Sequence, residues 1–557
     1  MHAHAAHAES PCAAARRRQR RFALGALIAG AVALFWLILR SGTKPSRITY
    51  PCQQAAFSTA SLAFGLPLIG LLLAARRRIA AHLHTGVATV LAGVAMLVVL
   101  TTAGQFAPAE PYSGPQLDPP DGYRAALYHV PLCPPDPVGE RFIGLDRLLL
   151  AMGRGGLKFY NSPAVTPLAG PDGVLGRDDV ILIKINYQWP ERGGTNTDVL
   201  RGLIRRIVDH PDGFVGEVVV VENAQFNSTS GFNRTLNNAQ NRALSPLAVV
   251  TGFQQQGWRI SAFDWTNIRY SSVSEYSAGS LTDGYVVGPY DAQLQGRVSY
   301  PKFRSAQGTY ISLRYGIWDP NSQTYDRDHL KFVNVPVLKS HHSTYGATAC
   351  VKHYMGVVTR ELSTNSHSAI GRGILGALQA QIRPADLTIL DCIWINANPL
   401  TGPQTPYTGA TRRDELVGGR DPVAIDRWAV KNILIAGFLS NGFTPPWPPP
   451  SADPDDPNSA FRQYLDRSMS YLLNAGYNVT NDPAQIDVTT WSGHGDLDCD
   501  GRVTFDDINP FVLALNGESG YAAQFPYCIW QNADCNRDGQ VNFDDINAFV
   551  ALLTNPQ

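Results

Sequence analysis

Apolar residues are unevenly spread along the chain, and three long apolar runs fall before residue 105. They cover about 22–39, 55–75 and 85–103. Each run is near the length that an α-helix needs to cross the hydrocarbon layer of a membrane, although Pro67 would kink the second. The pattern predicts three N-terminal transmembrane helices within residues 1–104.

Basic residues beside these runs indicate an orientation. Arginines precede the first run at 16–18, 20 and 21, and others separate the second run from the third at 76–78. By the positive-inside rule, the N-terminus is cytoplasmic and the residues after 104 are extracytoplasmic. We therefore predict an integral membrane protein of the bacterial cell envelope, in contact with the lipid bilayer. A cleaved signal peptide is the alternative for the first run alone.

After a Pro-rich stretch at 105–139, interpreted as a linker, short apolar runs alternate with helical patterns. The helical pattern predicts an amphipathic helix at 197–208, and the apolar runs predict strands at 179–186, 217–222, 331–338 and 387–391. Such strands joined by helices are typical of a sheet covered on both faces, so we predict an α/β domain over 140–490 with a mainly parallel sheet. Within it, 224–330 is interpreted as loop or antiparallel insertion, and a helix near 459–475 is expected to pack back on the domain.

Polar side chains collect where the predicted strands end. The residues in question are Lys184 and Asn186, Glu222 and Asn223, Lys339 and His341, and Asp391. Because open α/β sheets bind ligands beyond the carboxyl ends of their strands, we expect these side chains to share one cleft.

Several motifs in this region resemble a known family. They are Ile183-Lys184-Ile-Asn186, Val337-Leu-Lys339-Ser-His341, Val351-Lys352-His353-Tyr-Met-Gly356 and Gly419-Arg-Asp421-Pro-Val-Ala-Ile-Asp426. Their order and spacing over roughly 140–440 resemble the bacterial family called domain of unknown function 362, which brings no agreed reaction. The family usually has Asn where this chain has His353, and the iron–sulfur segment of many members is absent. Redox chemistry is therefore not inferred from the resemblance.

Lysines and histidines near the third strand form the densest group of reactive side chains. The candidate catalytic residues are Lys184, Lys339, His341, Lys352, His353, Asp391 and Asp426. The histidines could be metal ligands or acid–base groups, and the lysines could anchor an anion or cofactor. The alternative is that they are polar strand-end residues satisfied by backbone and water. No cofactor-binding residue is predicted, because no strand precedes the G-x-G-x-x-G spacing at 371–376.

The last sixty residues repeat one calcium-loop pattern. A hard cation needs six to eight oxygens, which loop positions 1, 3, 5, 7, 9 and 12 supply, with glycine at position 6. The predicted ligands are Asp496, Asp498, Asp500, Arg502, Thr504 and Asp507 in loop 1 (496–507), and Asp534, Asn536, Asp538, Gln540, Asn542 and Asp545 in loop 2 (534–545). We therefore expect two Ca²⁺ ions, with Arg502 and Gln540 contributing their carbonyl oxygens. Metal-free, Asp-rich surface turns are the alternative.

An apolar helical pattern follows each loop, with Ile508, Phe511, Val512 and Leu515 after the first and Ile546, Phe549, Val550 and Leu553 after the second. Two such loop–helix repeats over about 494–557 resemble a type I dockerin. The resemblance implies a small all-α calcium-binding domain at 491–557 and a cohesin-type protein partner. In that family the residues before position 12 often contact cohesin, and both copies here carry Phe-Asp there (Phe505-Asp506 and Phe543-Asp544).

Composition narrows the function classes. The net charge is zero and only 17% of residues are charged, so no basic surface suggests nucleic acid. We predict a membrane-anchored extracytoplasmic protein whose tail binds calcium and a cohesin-type partner. Its α/β domain would bind a ligand or catalyse a reaction of unknown specificity. The alternative is an enzyme of polysaccharide breakdown that carries the dockerin as an assembly tag. Whether the chain is an enzyme, and whether it acts on a small molecule or a polysaccharide, stays open.

Overall fold

Strands with every residue buried form the centre of the fold, where the apolar runs of the middle region predict them. The protein is described by a computed structural model. It covers residues 120, 122–134, 137–225, 231–342, 345–363, 366–449, 451–491, 493–500, 502–526 and 528–554. The strands before residue 265 are β1 (Ala125–Val130), β2 (Tyr160–Asn161), β3 (Ala169–Gly170), β4 (Val180–Ile185), β5 (Glu217–Glu222) and β6 (Ile260–Asp264).

An antiparallel insertion follows β6, as the polar composition of 224–330 suggests. Its strands are β7 (Gly284–Val287), β8 (Ser299–Arg304), β9 (Tyr310–Ser312), β10 (Gly316–Asp319) and β11 (Thr324–Asp326). They form a separate sheet in the order β11-β10-β9-β8-β7, with antiparallel neighbours throughout.

The chain then returns to the central sheet. The later strands are β12 (Leu330–Val335), β13 (Val337–His341), β14 (Gly346–Thr348), β15 (Leu387–Asn396), β16 (Thr411–Gly419) and β17 (Ile486–Thr490). Among the described residues, ten strands form this sheet in the order β17-β1-β16-β15-β12-β4-β5-β6, with β13 and β14 beside β15. The run from β15 to β6 is parallel, whereas β16 is antiparallel to both β15 and β1. β1 lies inside the stretch that the sequence suggests is a linker.

The helices before residue 475 cover both faces of the central sheet, and the three C-terminal helices of the described chain pack in a cluster of their own. The helices are α1 (Ile143–Arg154), α2 (Thr197–Val208), α3 (Pro246–Gln255), α4 (Ile374–Gln381), α5 (Pro422–Ala429), α6 (Ala436–Ser440), α7 (Ala460–Asn474), α8 (Ile508–Leu515), α9 (Glu518–Gln524) and α10 (Ile546–Thr554). Along β5, Val219 and Val221 belong to one cluster of buried apolar side chains and Val218 and Val220 to another. This alternation means that the sheet has a core on each face.

The predicted helix at 197–208 is α2, and its start has a local cause. The side chain of Asn196 accepts hydrogen bonds from the backbone N–H groups of Asp198 and Val199 and so caps the helix. The helix predicted near 459–475 is α7, which packs against α4 as expected.

The predicted fold class needs correction to mixed α/β with large sheets, because no small all-α domain is present in the described part of the chain. The helices of residues 493–554 belong to the same compact unit as the sheets. Arg154 of α1 forms an ion pair with Asp496 at 2.5 Å, and Arg147 donates to the carbonyl oxygen of Gln531 at 3.4 Å. Two short loop–helix repeats bury little apolar surface alone, and these contacts attach them to α1.

The membrane prediction is also corrected. Within the part of the chain that the structure describes, no helix combines the length and the apolar character needed to cross a bilayer. The three predicted spans themselves lie outside the described residues. The structure thus gives no support to an integral membrane protein, nor to the orientation and localisation inferred from its spans.

Candidate functional site

Strand register brings distant polar residues together at the carboxyl end of the parallel strands. Lys184 of β4 lies opposite Asn334 of β12, and Asp391 of β15 lies opposite Val337 of β13. Lys339 follows two residues later on β13. We use the name strand-end site for Lys184, Glu222, Lys339, His341, Lys352 and His353. The sequence predicts this convergence, because parallel strands end at one edge of a sheet.

Lys184 and Glu222 form a buried ion pair. Lys184 Nζ lies 2.5 Å from Glu222 Oε2, and burial raises the pKa of Glu222 to about 7 despite the ammonium beside it. A 3₁₀ helix at Lys352–Gly356 passes directly over this pair. A Cβ atom on Gly356 would lie 2.5 Å from Lys184 Nζ and 2.8 Å from Glu222 Oε2, so only glycine allows this approach.

The other two lysines are buried without such a partner. Lys339 is 0% exposed and Lys352 is 6% exposed, and no carboxylate among the described residues lies within 4.0 Å of either ammonium. Lys339 Nζ donates to the carbonyl oxygen of Gly193 at 2.5 Å. Burial lowers the pKa of each lysine to about 7, and the charge of Lys352 further lowers the pKa of Lys339. Both side chains therefore change charge near neutral pH.

The two histidines hold different positions in the group. Lys352 Nζ lies 2.8 Å from Nδ1 of His341, which also lies 2.9 Å from Thr348 Oγ1. An ammonium has no lone pair to offer, so Nδ1 of His341 accepts and Nε2 carries the ring proton. Burial and the nearby lysines lower the pKa of His341 well below its usual value.

His353 is more deeply buried than His341, and only one of its two ring nitrogens has a hydrogen-bond partner in the part of the chain that the structure describes. Its Nδ1 lies 2.7 Å from Asn334 Oδ1, while its Nε2 is buried and has no hydrogen-bond partner among the described residues. Burial, together with the charges of Lys184 and Lys339, lowers the pKa of His353 well below its usual value, although the nearby carbonyl oxygen of Ile185 acts in the opposite direction. The neutral ring donates through Nδ1 to the Asn334 oxygen, which leaves a lone pair on Nε2.

The two candidate aspartates have structural partners. Asp391 Oδ2 accepts from the backbone N–H of Asn196 and Oδ1 accepts from that of Ile393, which ties β15 to the start of α2. Asp426 accepts from the N–H groups of Cys350 and Val351, at 2.6 and 3.0 Å. Asp426 thus holds the segment that carries Lys352 and His353, while Asp391 borders the site beside Lys339.

Sequence reasoning overlooked two members of this neighbourhood. Asn334 sits in the middle of an apolar strand and orients His353, and a polar residue within such a strand was the available signal. His367 lies close enough for Lys352 to affect it, and burial lowers its pKa to about 3. No sequence pattern connects His367 to β13, because only the folded chain brings the two together.

The first calcium loop gathers its acidic side chains. Ligand oxygens of Asp496, Asp498 and Asp500 lie within 4.8 Å of one another. Asp496 Oδ1 is buried, and no donor within the described ranges reaches it, as expected for a carboxylate that fits a hard cation. Asp507 is 0% exposed; one of its oxygens accepts from the N–H groups of Leu497 and Asp498 and the other from that of Thr504.

The second loop repeats this hydrogen-bond pattern. Asp545 accepts from the N–H groups of Asn536 and Asn542, as Asp507 does from Asp498 and Thr504. Each loop ends in a capping box, in which the side chains at positions 9 and 12 bond reciprocally to the backbone. Asp534 is half-buried, Asp538 is exposed, and the predicted carbonyl donors Arg502 and Gln540 are exposed residues. The two loops therefore have one backbone plan with different exposure.

Potential metal ligands meet elsewhere only once in the part of the chain that the structure describes. Asp178, Asp179 and His329 gather at the amino ends of β4 and β12. Neither this group nor loop 1 includes the histidines of the strand-end site. A disulfide joins Cys499 of loop 1 to Cys528, and Cys535 of loop 2 stays a buried thiol.

The helices after the loops divide their apolar residues between two directions. Phe511 and Phe549 stack on each other with ring centroids 4.1 Å apart, inside a third cluster of buried apolar side chains. Leu515 and Leu553 are half-buried against the same cluster. Three matching pairs are exposed: Phe505 with Phe543, Ile508 with Ile546, and Val512 with Val550. We call these two sets the docking faces. Each apolar stripe predicted from sequence is thus only partly buried.

Comparison with known proteins gives one match. A family model described as a domain of unknown function (DUF362) matches residues 327–431, well under half of the chain. This range holds Lys339, His341, Lys352, His353, Asp391 and Asp426, and it is narrower than the 140–440 suggested by the motifs. The comparison does not extend to the C-terminal repeats and shows no dockerin domain. No curated protein and no solved structure matches the chain. The chain is therefore similar to this family between β11 and the end of α5.

Proposed function

We propose that the C-terminal repeats bind two Ca²⁺ ions and present the docking faces to a protein partner, while the α/β domain binds a ligand. The observation that carries the proposal is the gathering of the Asp496, Asp498 and Asp500 oxygens within 4.8 Å. Three carboxylates at that separation repel one another unless a cation lies between them. Ca²⁺ suits the all-oxygen donor set, which also includes the position 7 carbonyl.

The docking faces support a partner of the cohesin type. Phe505 and Phe543 are 77% and 73% exposed, although both are large and apolar. Paired apolar side chains at equivalent positions of a repeat indicate a recognition surface, and each copy alone could engage the same partner. Bound calcium would order the loop before each helix and so fix the orientation of its face.

The alternative, an enzyme of polysaccharide breakdown, has less support. A glycosidase needs two carboxyl groups free to act as acid and as nucleophile or base. In the strand-end site, Glu222 is paired with Lys184, and the neighbouring Asp391 accepts backbone hydrogen bonds. The group is instead rich in lysine and histidine, which favours ligand binding over glycoside hydrolysis as its role.

Calcium titration of the full chain by isothermal calorimetry tests the metal component. We expect two sites in the wild type, one in Asp498→Ala and one in Asp538→Ala. Asp506→Ala, which removes an exposed neighbouring carboxylate, is the matched control and should keep both. Absence of calcium heat in the wild-type chain would refute the proposal.

Binding to a panel of purified cohesin domains tests the docking component. Phe505→Ser and Phe543→Ser should each weaken binding only slightly, because the other face substitutes. The double variant should lose at least about 100-fold in affinity, because neither face then keeps the aromatic side chain that would anchor it in the partner. Binding that survives both the double variant and calcium chelation would argue against these faces.

A further inference from the structure

The strand-end site carries an excess of buried positive charge that its own carboxylates do not balance. We propose that it binds a tetrahedral oxyanion, the phosphoryl group of a small ligand or inorganic phosphate, through Lys339, Lys352 and His353. This inference rests on the ligand-binding role proposed for the α/β domain. It is independent of the calcium loops.

The carboxylates of the strand-end site balance only part of its positive charge. Glu222 pairs with Lys184 at 2.5 Å, so that couple is neutral as a unit. Asp391 accepts hydrogen bonds from the backbone N–H groups of Asn196 and Ile393 and from the side chain of Asn238. These neutral donors leave its charge in place, and that charge offsets part of the charge of Lys339 without a direct contact. Lys339 and Lys352 are left without a carboxylate within 4.0 Å among the described residues. A buried ammonium without a counter-charge costs several kcal/mol, and a bound dianion would supply that charge for both.

The hydrogen-bonding capacity of His353 also suits an oxyanion that carries a proton. His353 Nε2 is buried and unpartnered in the described chain, and its Nδ1 proton is committed to Asn334. The lone pair on Nε2 is therefore an acceptor beside two donors. Monohydrogen phosphate offers anionic oxygens to the lysines and one P–OH to this nitrogen. In a phosphate ester, a hydroxyl of the attached molecule would take that place.

His341 is the half-buried member of the strand-end site. Its Nδ1 is the acceptor of the Lys352 contact at 2.8 Å. The ring then presents Nε2–H as a further donor. Two ammonium groups and an imidazole N–H suit an anion of several oxygens better than a cation, which both lysines would repel.

The charges that surround the lysines give the proposal a pH signature. The charges of Lys352 and Lys184 lower the pKa of Lys339. The charges of Glu222 and Asp391 raise it. The imidazoles of His341 and His367 face Lys352. An anion binds the protonated lysines, whose pKa is about 7 in the absence of ligand. Affinity should therefore fall at least about tenfold per pH unit above that value, with proton uptake on binding.

Calorimetric titration of the calcium-free full chain in chelator tests the inference, so a failure of the calcium proposal leaves it untouched. The probes are inorganic phosphate, glycerol phosphate, sulfate and acetate at constant ionic strength. Phosphate or its ester should bind, whereas acetate should not. Tighter binding of glycerol phosphate than of phosphate would identify an ester ligand. The reverse order would identify the free ion.

Variants then assign the residues. Lys339→Met and Lys352→Met should each weaken phosphate binding at least tenfold. Lys302→Met is the matched control, because Lys302 is also 0% exposed and donates to one carbonyl oxygen, that of Ser280 at 2.7 Å. It should change the affinity less than twofold. Melting temperature in anion-free buffer checks that each variant is folded.

Two further measurements do not depend on the lysine variants. Sulfate stays a dianion across the pH range. The pH dependence of its affinity for the wild type between pH 6.5 and 8.5 therefore reports only the protonation of the lysines. His353→Phe should weaken phosphate at least fivefold but leave sulfate unchanged, because sulfate has no proton for Nε2. The proposal is overturned if neither phosphate nor its ester binds the wild type. It is equally overturned if both lysine variants bind like Lys302→Met, or if sulfate affinity is independent of pH.

Discussion

The strand-end site and calcium loop 1 both gather side chains of like charge, but they draw on very different lengths of chain. Loop 1 gathers the oxygens of Asp496, Asp498 and Asp500 from alternate positions of one short segment. The strand-end site takes Lys184 from β4 and Lys352 from a 3₁₀ helix far along the chain, and they meet only because β4 and β12 pair in register. Residue spacing can therefore define a site within a loop, whereas a site at the end of a sheet requires the topology.

The two regions also differ in how their charge is balanced. In loop 1, Arg154 of α1 lies 2.5 Å from Asp496 Oδ2, so a neighbouring cation already offsets part of the negative charge. In the strand-end site, neither Lys339 nor Lys352 has a carboxylate within 4.0 Å among the described residues. The cation proposed for the first region and the anion proposed for the second would each complete the local charge balance.

Asp426→Ala should break the strand-end site most strongly while leaving the loops intact. It leaves the buried N–H groups of Cys350 and Val351 without acceptors, so we expect a loss of about 2–4 kcal/mol in the free energy of unfolding. Urea unfolding measures this loss. Asp426→Asn keeps one acceptor and should lose less, and calcium stoichiometry should stay at two. Equal stability of Asp426→Ala and wild type would contradict the structural role of Asp426.

Asp507→Ala should disrupt the structure and calcium binding of loop 1 and leave the strand-end site unchanged. Three backbone N–H groups lose their acceptor, which we expect to cost about 1–3 kcal/mol locally and to abolish calcium binding in this loop. Calorimetry should then count one site in place of two. Asp506→Ala, one residue earlier and exposed, is the control. Retention of both sites in Asp507→Ala would show that position 12 is dispensable.

Lys339→Met should change how the free energy of unfolding depends on pH. Because burial lowers the pKa of Lys339 to about 7, the unfolded chain binds a proton between pH 7 and 10.5 that the folded chain does not. Wild-type stability should therefore rise with pH between 7.5 and 9.5 relative to Lys339→Met, by up to about 1 kcal/mol per pH unit. Urea unfolding at both pH values measures the difference. Parallel pH profiles for the two proteins would mean that Lys339 titrates normally.

Arg154→Met, which breaks the ion pair between α1 and loop 1, should have the smallest effect. Removing a cation 2.5 Å from Asp496 should strengthen calcium binding in loop 1 by a few fold, most clearly at low salt. Loop 2 should be unaffected. Lys158→Met, which removes a cation bonded to the carbonyl oxygen of Pro167, is the control. Weaker binding in Arg154→Met would instead mean that Arg154 positions Asp496.

Much of the central sheet could be predicted because its strands are locally distinctive. The apolar runs at 179–186 and 217–222 correspond to β4 and β5, and the helix at 197–208 has its cap in the sequence. β1 could not be recognised, since its place beside β16 and β17 depends on pairing with residues hundreds of positions away. The prediction of a small all-α domain at 491–557 was wrong for a similar reason. The spacing of the repeats carries no information about their contacts with α1.

The sequence by itself determined the spacing of the loop oxygens, the apolar strands and the lysines that end them, since each depends on neighbours within a few residues. Only the tertiary structure decided which of these groups are paired. Glu222 pairs with Lys184, and Asp391 and Asp426 accept hydrogen bonds from backbone N–H groups. Among the described residues, Lys339 and Lys352 have no carboxylate in contact, and His353 Nε2 has no hydrogen-bond partner. The physical reason is that charge and hydrogen bonds are satisfied through space, and burial makes each unsatisfied group costly.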